Sequence, residues 1–395
     1  MKILIVNATK LGGAAVAVNR LETQLTREGL EVKRVTVNNY GKGKIASVIF
    51  LVEQLFLRVL RVDKGIFYSP ALFSIGINDE IKEFNPDIVH LHWINGALLK
   101  PEDLAEFNKP TVWTMHDMWP FCGAEHHSND NKYKEGYKSE SKFSLNRWLW
   151  ERKTKTYQKI KKMVFVSPSR WLKKKAEQSC LTEGREIVYL PNGIDLKKYY
   201  PEDKKVAKSK LGLKPDVLVV LVGAAFANGD KNKNINLAVK ILSKIKKDIV
   251  VVAVGKGDKD KVKKVFEKSG KRLLYLGYID DEDRMREIYS ASDVFLMCSK
   301  NENLPNMAIE SMACGTSVVA FDVGGVGEIV DNKVNGFLSS YGDINDVVKN
   351  LNMLLTFSSK QKIEFYSNSR KKIVQNYDLK KTTKQVIEVY KKLIS

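Results

Sequence analysis

Residues 293–325 read DVFLMCSKNENLPNMAIESMACGTSVVAFDVGG and contain two apolar runs on either side of a segment with helical character. The runs at 293–297 and 317–321 have the length and the continuous apolar character of buried strands. Pro305 suits the first turn of a helix, and Gly315 suits the position just after its end. A strand, a helix and a second strand in this order predict a parallel βαβ unit.

Two glutamates make this stretch a candidate binding site. Glu302 lies in the loop before the predicted helix, and Glu310 lies about one turn inside it. The backbone N–H groups of Asn303, Leu304 and Asn306 lie at the positive end of the helix, where a diphosphate is favoured. A carboxylate beside them accepts hydrogen bonds from two vicinal hydroxyls, as on a ribose. A solvated charge at a helix end is the ordinary interpretation of one glutamate, but the whole string favours a site.

The rest of the chain repeats this alternation of apolar strands and amphipathic helices. In the N-terminal half we predict strands at 3–6, 32–37, 88–91, 111–115, 164–166 and 187–190. After a Lys-rich stretch the cycle restarts, with further strands at 217–222, 249–254 and 273–276. The strand runs are too continuously apolar for a sheet with one wet face. We therefore expect α/β domains in which helices cover both faces of a parallel sheet.

The domain organisation follows from these cycles. We predict an N-terminal Rossmann-like domain at 1–195, a hinge or linker at 196–215 and a C-terminal Rossmann-like domain at 216–375. A final helix at 376–395 follows, for which packing against the N-terminal domain is one option. Two such domains facing each other form a cleft at the carboxyl ends of their strands, where open α/β sheets bind ligands.

Composition limits the class of protein. The 395 residues are 44% hydrophobic, which excludes a disordered or fibrous chain. Lys and Arg number 66 against 46 Asp and Glu, a net charge of +20, which favours anionic partners such as phosphorylated metabolites, nucleic acid or an anionic membrane. The four cysteines form no CxxC pair and indicate reduced thiols in a cytoplasmic protein. We expect no signal peptide and no transmembrane segment.

The motifs resemble a known enzyme family. The spacing from Glu302 to Glu310, the ACGTSVVA that follows and the PNGID at 191–195 resemble a family 4 glycosyltransferase of the GT-B fold. The likeness extends to the opening loop with Gly12 and Gly13, to WTMHDMWPFCGAEH at 113–126 and to PSRWL at 168–172. The last two motifs resemble a bacterial subgroup that assembles surface polysaccharides such as O antigen, capsule or exopolysaccharide.

The resemblance implies roles for individual residues. Glu310 would bind the ribose of a sugar nucleotide, and Glu302 would contact the transferred sugar. The amides of the loop between them, at Asn303, Leu304 and Asn306, would hold the diphosphate. Gly12 and Gly13 would belong to the same nucleotide-sugar site.

A lysine is expected beside the diphosphate. Lys233 follows the strand at 217–222 at the start of a helix, where a cation neutralises charge on a departing diphosphate. The family commonly has an arginine soon after the glycine that matches Gly223, but Ala224 follows here, and Lys231 is the nearest substitute. The alternative is that Lys231 and Lys233 are ordinary surface lysines.

A histidine is expected near the reacting centre. His116 ends the strand at 111–115 and matches the family's histidine in the N-terminal domain. We assign it to contact with sugar or phosphate and leave a direct role in proton transfer open. Of the two histidines on the strand before it, only His92, at the strand end, is a candidate for the acceptor pocket.

No metal site is expected. Cys122, His126 and His127 offer three ligands but no second pair, so they lack the pattern of a structural zinc site. The DxD strings that begin at Asp258 and Asp281 lie at predicted helix starts, where acidic residues favour the helix dipole.

The resemblance thus implies a retaining, metal-independent transferase that uses a UDP- or GDP-linked sugar, a glycan or lipid-linked acceptor, and no cofactor. A sugar-nucleotide epimerase of the same architecture is an alternative. A basic nucleic-acid-binding protein is another, but no basic stripe with interleaved aromatic residues supports it. The apolar segment 45–63 favours peripheral contact with the inner face of the plasma membrane, with a core helix as the alternative.

Overall fold

The computed structural model describes residues 1–10, 12–38, 42–63, 65–128, 130–223 and 232–395. These residues form two compact units. The first unit comprises Met1–Gly193 and Lys380–Ser395, and the second comprises Ile194–Leu379. Each unit is built around one six-stranded parallel sheet.

The sheet of the first unit has the strand order β2-β1-β3-β4-β5-β6. Its strands are β1 (Lys2–Val6), β2 (Glu31–Val35), β3 (Ile88–Leu91), β4 (Thr111–Thr114), β5 (Met163–Ser167) and β6 (Glu186–Tyr189). Its helices are α1 (Gly13–Arg27), α2 (Gly43–Val59), α3 (Asn78–Phe84), α4 (Asp103–Glu106), α5 (Leu145–Tyr157) and α6 (Arg170–Glu177). All six predicted strands of this half are present.

Both faces of this sheet are buried, as the continuous apolar runs predicted. Every residue of β3, β4 and β5 is buried. Successive residues enter different cores, because Val89 packs in one hydrophobic cluster and Ile88 in another on the opposite face.

The sheet of the second unit has the order β12-β11-β10-β7-β8-β9. Its strands are β7 (Leu218–Gly223), β8 (Ile249–Val254), β9 (Arg272–Gly277), β10 (Val294–Met297), β11 (Val318–Phe321) and β12 (Gly336–Ser339). Its helices are α7 (Lys204–Lys210), α8 (Ile235–Ser243), α9 (Lys259–Glu267), α10 (Glu282–Ala291), α11 (Asn306–Ala313), α12 (Val326–Ile329), α13 (Ile344–Thr356) and α14 (Ser359–Asn376). The stretch 196–215, expected as a linker, lies within this unit and contains α7.

The strand order of the second sheet reverses between β7 and β10. These strands are direct neighbours, with Phe295 opposite Leu221. The loops that leave their carboxyl ends therefore start side by side, and in open α/β sheets this switch point is where ligands bind. The loop after β10 carries Glu302, and Lys233 precedes α8, the helix that follows β7.

The last helix, α15 (Leu379–Ile394), belongs almost entirely to the first unit. Its Val386 and Tyr390 join the hydrophobic cluster that contains Ile88. The Tyr390 hydroxyl lies 2.6 Å from Nδ1 of His90, a buried histidine of β3. The hydrogen bond and the apolar contacts together dock the end of the chain on the first sheet.

Candidate functional site

The loop after β10 holds Glu302 next to Lys233. The Glu302 carboxylate forms an ion pair and a hydrogen bond with the Lys233 ammonium group. The Glu302 side chain is 11% exposed and that of Lys233 is 33% exposed, so water reaches the lysine more readily. The two residues are 69 positions apart in sequence, and the switch point of the sheet brings them together.

Two asparagines fix the loops that carry this ion pair. The Asn232 side chain donates to the Asn301 carbonyl oxygen and accepts from the Asn301 backbone N–H, both at 2.9 Å. The Lys300 backbone N–H also donates to the Asn232 carbonyl oxygen at 2.8 Å. Sequence reasoning missed Asn232 and Asn301, because an asparagine in a loop is an ordinary turn residue until its partner is known.

A glycine turn supports the backbone of Glu302. The Gly325 N–H donates to the Glu302 carbonyl oxygen at 3.0 Å. Gly324 has a φ of +59°, and a Cβ built on it would lie 1.7 Å from the same oxygen. Only glycine combines this left-handed conformation with so close an approach. The turn therefore fixes where Glu302 lies.

Helix α11 starts beside this loop and is anchored to the sheet. Leu304, just before the helix, is 7% exposed and packs in the core, so only its backbone is available to a ligand. Met307, in the first turn, lies against the end of β7, where a Cβ on Gly223 would lie 2.3 Å from its methyl carbon. The N–H groups of the first turn, starting at Asn306, point out of the helix end and give it a partial positive charge.

Glu310 lies farther along α11 and is nearly enclosed. Its side chain is among the buried charged groups, at 6% exposure. The hydroxyl of Tyr289, on α10, donates to Glu310 Oε2 at 2.6 Å. Burial, together with the nearby Glu310 charge, raises the pKa of Tyr289 well above its ordinary value, so the phenol keeps its proton. Tyr289 was not predicted, because a tyrosine at helical spacing is normally a core residue.

The first unit contains three of the predicted site residues, Gly12, Gly13 and His116. Gly12, with a φ of +91°, precedes α1, and Gly13 begins that helix. His116 follows β4 and is partly buried, and burial lowers its pKa to about 4, so the ring is neutral at physiological pH. Its Nε2 lies 2.9 Å from Nδ1 of His92. Lys231, the proposed second phosphate cation, lies outside the described residues.

A buried polar network shapes the segment 113–126. Asp117 accepts from the Trp119 N–H and lies 2.7 Å from Nδ1 of His126, whose Nε2 is bonded to the Ser69 hydroxyl. Burial would raise the pKa of Asp117, but the charge and the hydrogen bond of His126 outweigh it and lower the pKa to about 2. Both ring nitrogens of His126 are thus engaged within the protein.

A lysine closes the turn inside this segment. Lys153, on α5, is fully buried and donates to the carbonyl oxygens of Cys122 and Gly123 at 3.1 and 2.7 Å. Its ammonium nitrogen lies 3.4 Å from the centre of the Trp119 ring. Nothing in the sequence around Lys153 distinguishes it from the many surface lysines.

The histidine–cysteine group and the DxD strings have structural partners. Among the described residues, no three His, Cys, Asp or Glu side chains are grouped to hold a metal ion. Asp258 caps α9 by accepting from the Lys261 N–H, and Asp281 caps α10 in the same way. The interpretation of both strings as helix caps is confirmed.

Family models match most of the chain. The model described as "Glycosyltransferase Family 4" matches residues 11–198, and "Glycosyl transferases group 1" matches residues 216–356. A UDP-Gal:alpha-D-GlcNAc-diphosphoundecaprenol alpha-1,3-galactosyltransferase from Escherichia coli is 28% identical over 214 residues, which are 52% of this chain and 54% of that protein. The chain thus spans about half the length of this curated relative.

Solved structures share the whole fold. A sucrose-phosphate synthase from Thermosynechococcus elongatus has a TM-score of 0.72 at 16% identity, over 99% of this chain and 98% of that one. Anabaena HepE, solved in complex with UDP and glucose, has a TM-score of 0.65 at 18% identity, over 99% and 100% of the two chains. These likenesses confirm the fold class predicted from sequence, GT-B with two Rossmann-like domains.

Proposed function

The chain belongs to the family 4 glycosyltransferases, and from this premise we propose that it transfers a sugar from a nucleotide diphosphate to a glycan or lipid-linked acceptor. One observation carries the proposal. The switch point of the second sheet joins Lys233 to Glu302 beside the first turn of α11. A cation, a carboxylate and a positive helix end at one place match a diphosphate that carries a sugar.

The donor is a UDP- or GDP-linked sugar that binds to the second unit. Glu310, held by Tyr289, accepts hydrogen bonds from the ribose hydroxyls. The amides at Asn303, Leu304 and Asn306 hold the diphosphate, and Glu302 contacts the sugar. The complex of Anabaena HepE with UDP and glucose supports a nucleotide-sugar donor for a chain of this fold.

The reaction retains the configuration of the sugar and needs no metal ion. When the bond from the sugar to the diphosphate breaks, negative charge develops on the departing phosphate. Lys233 stabilises this charge by moving its ammonium group from Glu302 to the phosphate oxygens. The two DxD strings are the segments nearest in pattern to a metal-binding motif. Their first residues, Asp258 and Asp281, serve as helix caps instead.

The acceptor is a growing surface glycan on a lipid carrier, and the enzyme works at the inner face of the plasma membrane. The name of the E. coli relative describes a lipid-linked acceptor, which supports this choice. Helix α2 exposes a row of large apolar side chains, at Ile45, Val48, Val52, Leu55 and Val59, and Phe50 and Leu51 are exposed outside this row. Among the described residues, no helix is both long and apolar enough to cross a bilayer.

The arrangement of α2 supports contact with a membrane surface rather than with the core. Glu53, on its inner side, is 3% exposed and accepts a hydrogen bond from the Leu72 N–H at 2.8 Å. This bond fixes which side of the helix faces the protein, so the apolar row faces out. Lys44 and Arg58, near the two ends of the helix, add attraction to anionic lipid.

Transfer assays with UDP- and GDP-linked sugars and a lipid-linked acceptor test the proposal. Lys233→Ala should lower kcat by about 100-fold, because it removes charge stabilisation of the leaving group. Lys240→Ala, which removes an exposed lysine of α8, is the matched control and should leave kcat unchanged. Conversion of the donor's sugar into its epimer, in a reaction with no acceptor present, would identify an epimerase. Salt-sensitive DNA binding without any donor turnover would favour a nucleic-acid-binding protein.

Chelation tests the role assigned to Lys233. We expect transfer to continue at an unchanged rate in excess EDTA, because the lysine supplies the positive charge. A full loss of transfer, restored by Mg²⁺ or Mn²⁺, would contradict metal independence.

A further inference from the structure

His92 has one ring nitrogen with no protein partner among the described residues. The side chain is 4% exposed, and its Nε2 is buried without a hydrogen bond. The other nitrogen, Nδ1, lies 2.9 Å from Nε2 of His116. The two rings are nearly parallel, with centroids 5.2 Å apart. The His92 ring is therefore hydrogen-bonded to His116. It has no other hydrogen-bond partner among the described residues.

The surroundings hold the His92 ring in place. On its other side lies His90, with ring centroids 4.3 Å apart. His90 is itself fixed by two hydroxyl groups, Tyr390 at 2.6 Å and Thr114 at 2.8 Å. The backbone of His92 is fixed as well, because the indole N–H of Trp113 donates to its carbonyl oxygen at 3.0 Å.

The bond between His92 and His116 admits two proton arrangements when both rings are neutral. If His116 donates from Nε2, the proton of His92 must lie on Nε2, and a buried N–H has no partner. If His92 donates from Nδ1, its Nε2 is a bare lone pair. Unpaired buried N–H groups are the rarer of the two in folded proteins. The second arrangement is therefore favoured.

We propose that His92 is a positioning residue, which donates its Nδ1–H to His116 Nε2 and so fixes His116 as the tautomer that carries its proton on Nδ1. Burial lowers the pKa of His92 well below its ordinary value, which keeps the donor ring neutral. Two consequences follow. The His116 ring has a set orientation, and its one lone pair is occupied by His92.

This arrangement decides what His116 does in the reaction, a step that rests on the proposed function. A neutral imidazole whose lone pair already accepts a hydrogen bond cannot take a proton from an acceptor hydroxyl. His116 is therefore not the general base. What remains to His116 is the role of a neutral hydrogen-bond donor through Nδ1, with a ring direction that His92 sets.

Nitrogen NMR of the full chain labelled with ¹⁵N-histidine tests the proposal without any activity measurement. At pH 7 the His116 signals, assigned with His116→Gln, should show the proton on Nδ1. In His92→Phe this preference should be lost, because the donor is gone. His92→Asn places an amide N–H₂ where Nδ1 stood and should keep it, whereas His92→Gln places its amide at the other position and should not.

Kinetics supply the second readout. We expect His92→Phe to lower kcat about 10- to 100-fold with little change in the KM for the donor, and His92→Asn to recover most of the loss. A wild-type His116 with its proton on Nε2, or one whose signals are the same in all His92 variants, would overturn the proposal. If the NMR result holds but no sugar is transferred, the positioning role stands and the proposed function fails.

Discussion

Glu310 shows at the residue scale how a buried carboxylate is given a direction. Its Oε2 accepts from Tyr289, whose phenol stays protonated because burial and the nearby charge raise its pKa. A carboxylate held in this way loses little rotational freedom when it binds a partner, which favours the proposed role of Glu310 in binding a ribose. The arrangement also means that Glu310 contributes to the packing of α10 against α11.

Replacing Glu310 tests this role. Glu310→Ala should weaken the binding of UDP or GDP by about 10- to 100-fold, since a charge-assisted hydrogen bond contributes about 1.5–3 kcal/mol. Tyr289→Phe should weaken it less, because the charge remains and only its orientation is lost. Calorimetry measures both, with the exposed Glu364→Ala as control. Equal affinity in Glu310→Ala and Glu364→Ala would remove Glu310 from the nucleotide site.

Substitution of Gly324 tests whether the glycine turn fixes the backbone of Glu302. Gly324→Ala should be destabilised by more than Gly342→Ala, because both have positive φ but only the first meets a backbone oxygen. The left-handed conformation alone costs about 1–2 kcal/mol for a residue with a Cβ, and this is the effect expected at Gly342. Urea unfolding measures the two losses. Similar losses in the two variants would mean that the turn accommodates a side chain.

The sequence predicted single site residues better than their partners. Glu302 and Lys233 were each expected from local patterns and the family resemblance, and the structure brings them into contact. The bonds between Asn232 and Asn301 were not predictable, because they join two loops that only the sheet order makes neighbours. The hydroxyl of Tyr289 was missed for another reason, because a tyrosine at helical spacing is normally a core residue and its contact with Glu310 joins two helices.

At the scale of whole elements, helix α2 is unusual because its exposed side is apolar. A soluble helix normally presents polar groups to water, and a row of this size marks a contact surface. Turning this row inward would break the hydrogen bond between the buried Glu53 carboxylate and the Leu72 N–H, and would leave that backbone group without its partner. The surface is therefore a stable feature of the first unit.

Vesicle flotation tests the proposed membrane contact. The protein should float with anionic vesicles at low salt and release as salt rises, because each nearby cation contributes about 1 kcal/mol. Leu51→Ser with Leu55→Ser should reduce flotation, since both side chains are about half exposed. Ile363→Ser, which alters an exposed apolar residue of the second unit, is the control. Flotation that is absent at low salt, or equal in the two variants, would contradict this role for α2.

Strands were predicted more completely than other elements, because a buried parallel strand is a short continuous apolar run. The exception is β12, which reads GFLS and contains only two large apolar residues. A Cβ on its Gly336 would lie 2.4 Å from the Val318 carbonyl oxygen, so close strand pairing excludes a larger residue there. The residue at this position is limited by contact with the neighbouring strand β11. The local sequence pattern alone therefore did not predict β12.

At the scale of the whole molecule, three histidines of the first unit link stability to pH. Burial lowers the pKa of His90 to about 3 and that of His116 to about 4, and it lowers the pKa of His92 well below the ordinary value. The unfolded chain binds these protons near pH 6.5, and the folded chain does not until the pH is far lower. The contribution of these histidines to the free energy of unfolding is therefore fully present above about pH 6.5, and it is lost as the pH decreases below that value.

Urea unfolding at pH 8 and pH 5.5 measures this effect, because ordinary carboxylates remain ionised over that interval. The midpoint should be lower at pH 5.5. His92→Asn, which cannot take up a proton, should show a smaller difference between the two pH values than the unaltered chain. An equal midpoint at both values in the unaltered chain would mean that the histidines are not held neutral.

The docking of α15 also has a consequence for synthesis on the ribosome. His90 and its partner Tyr390 are 300 positions apart, and the whole second unit is translated between them. The first unit therefore emerges early but cannot complete its hydrophobic cluster until the last helix has left the exit tunnel. Until then Ile88 and Val112 lack the apolar side chains of α15 that pack against them. The exposed apolar surface of the nascent chain is then a binding site for a chaperone. Slow translation of the second half would prolong that exposure, whereas the second unit, being continuous in sequence, would not be affected in this way.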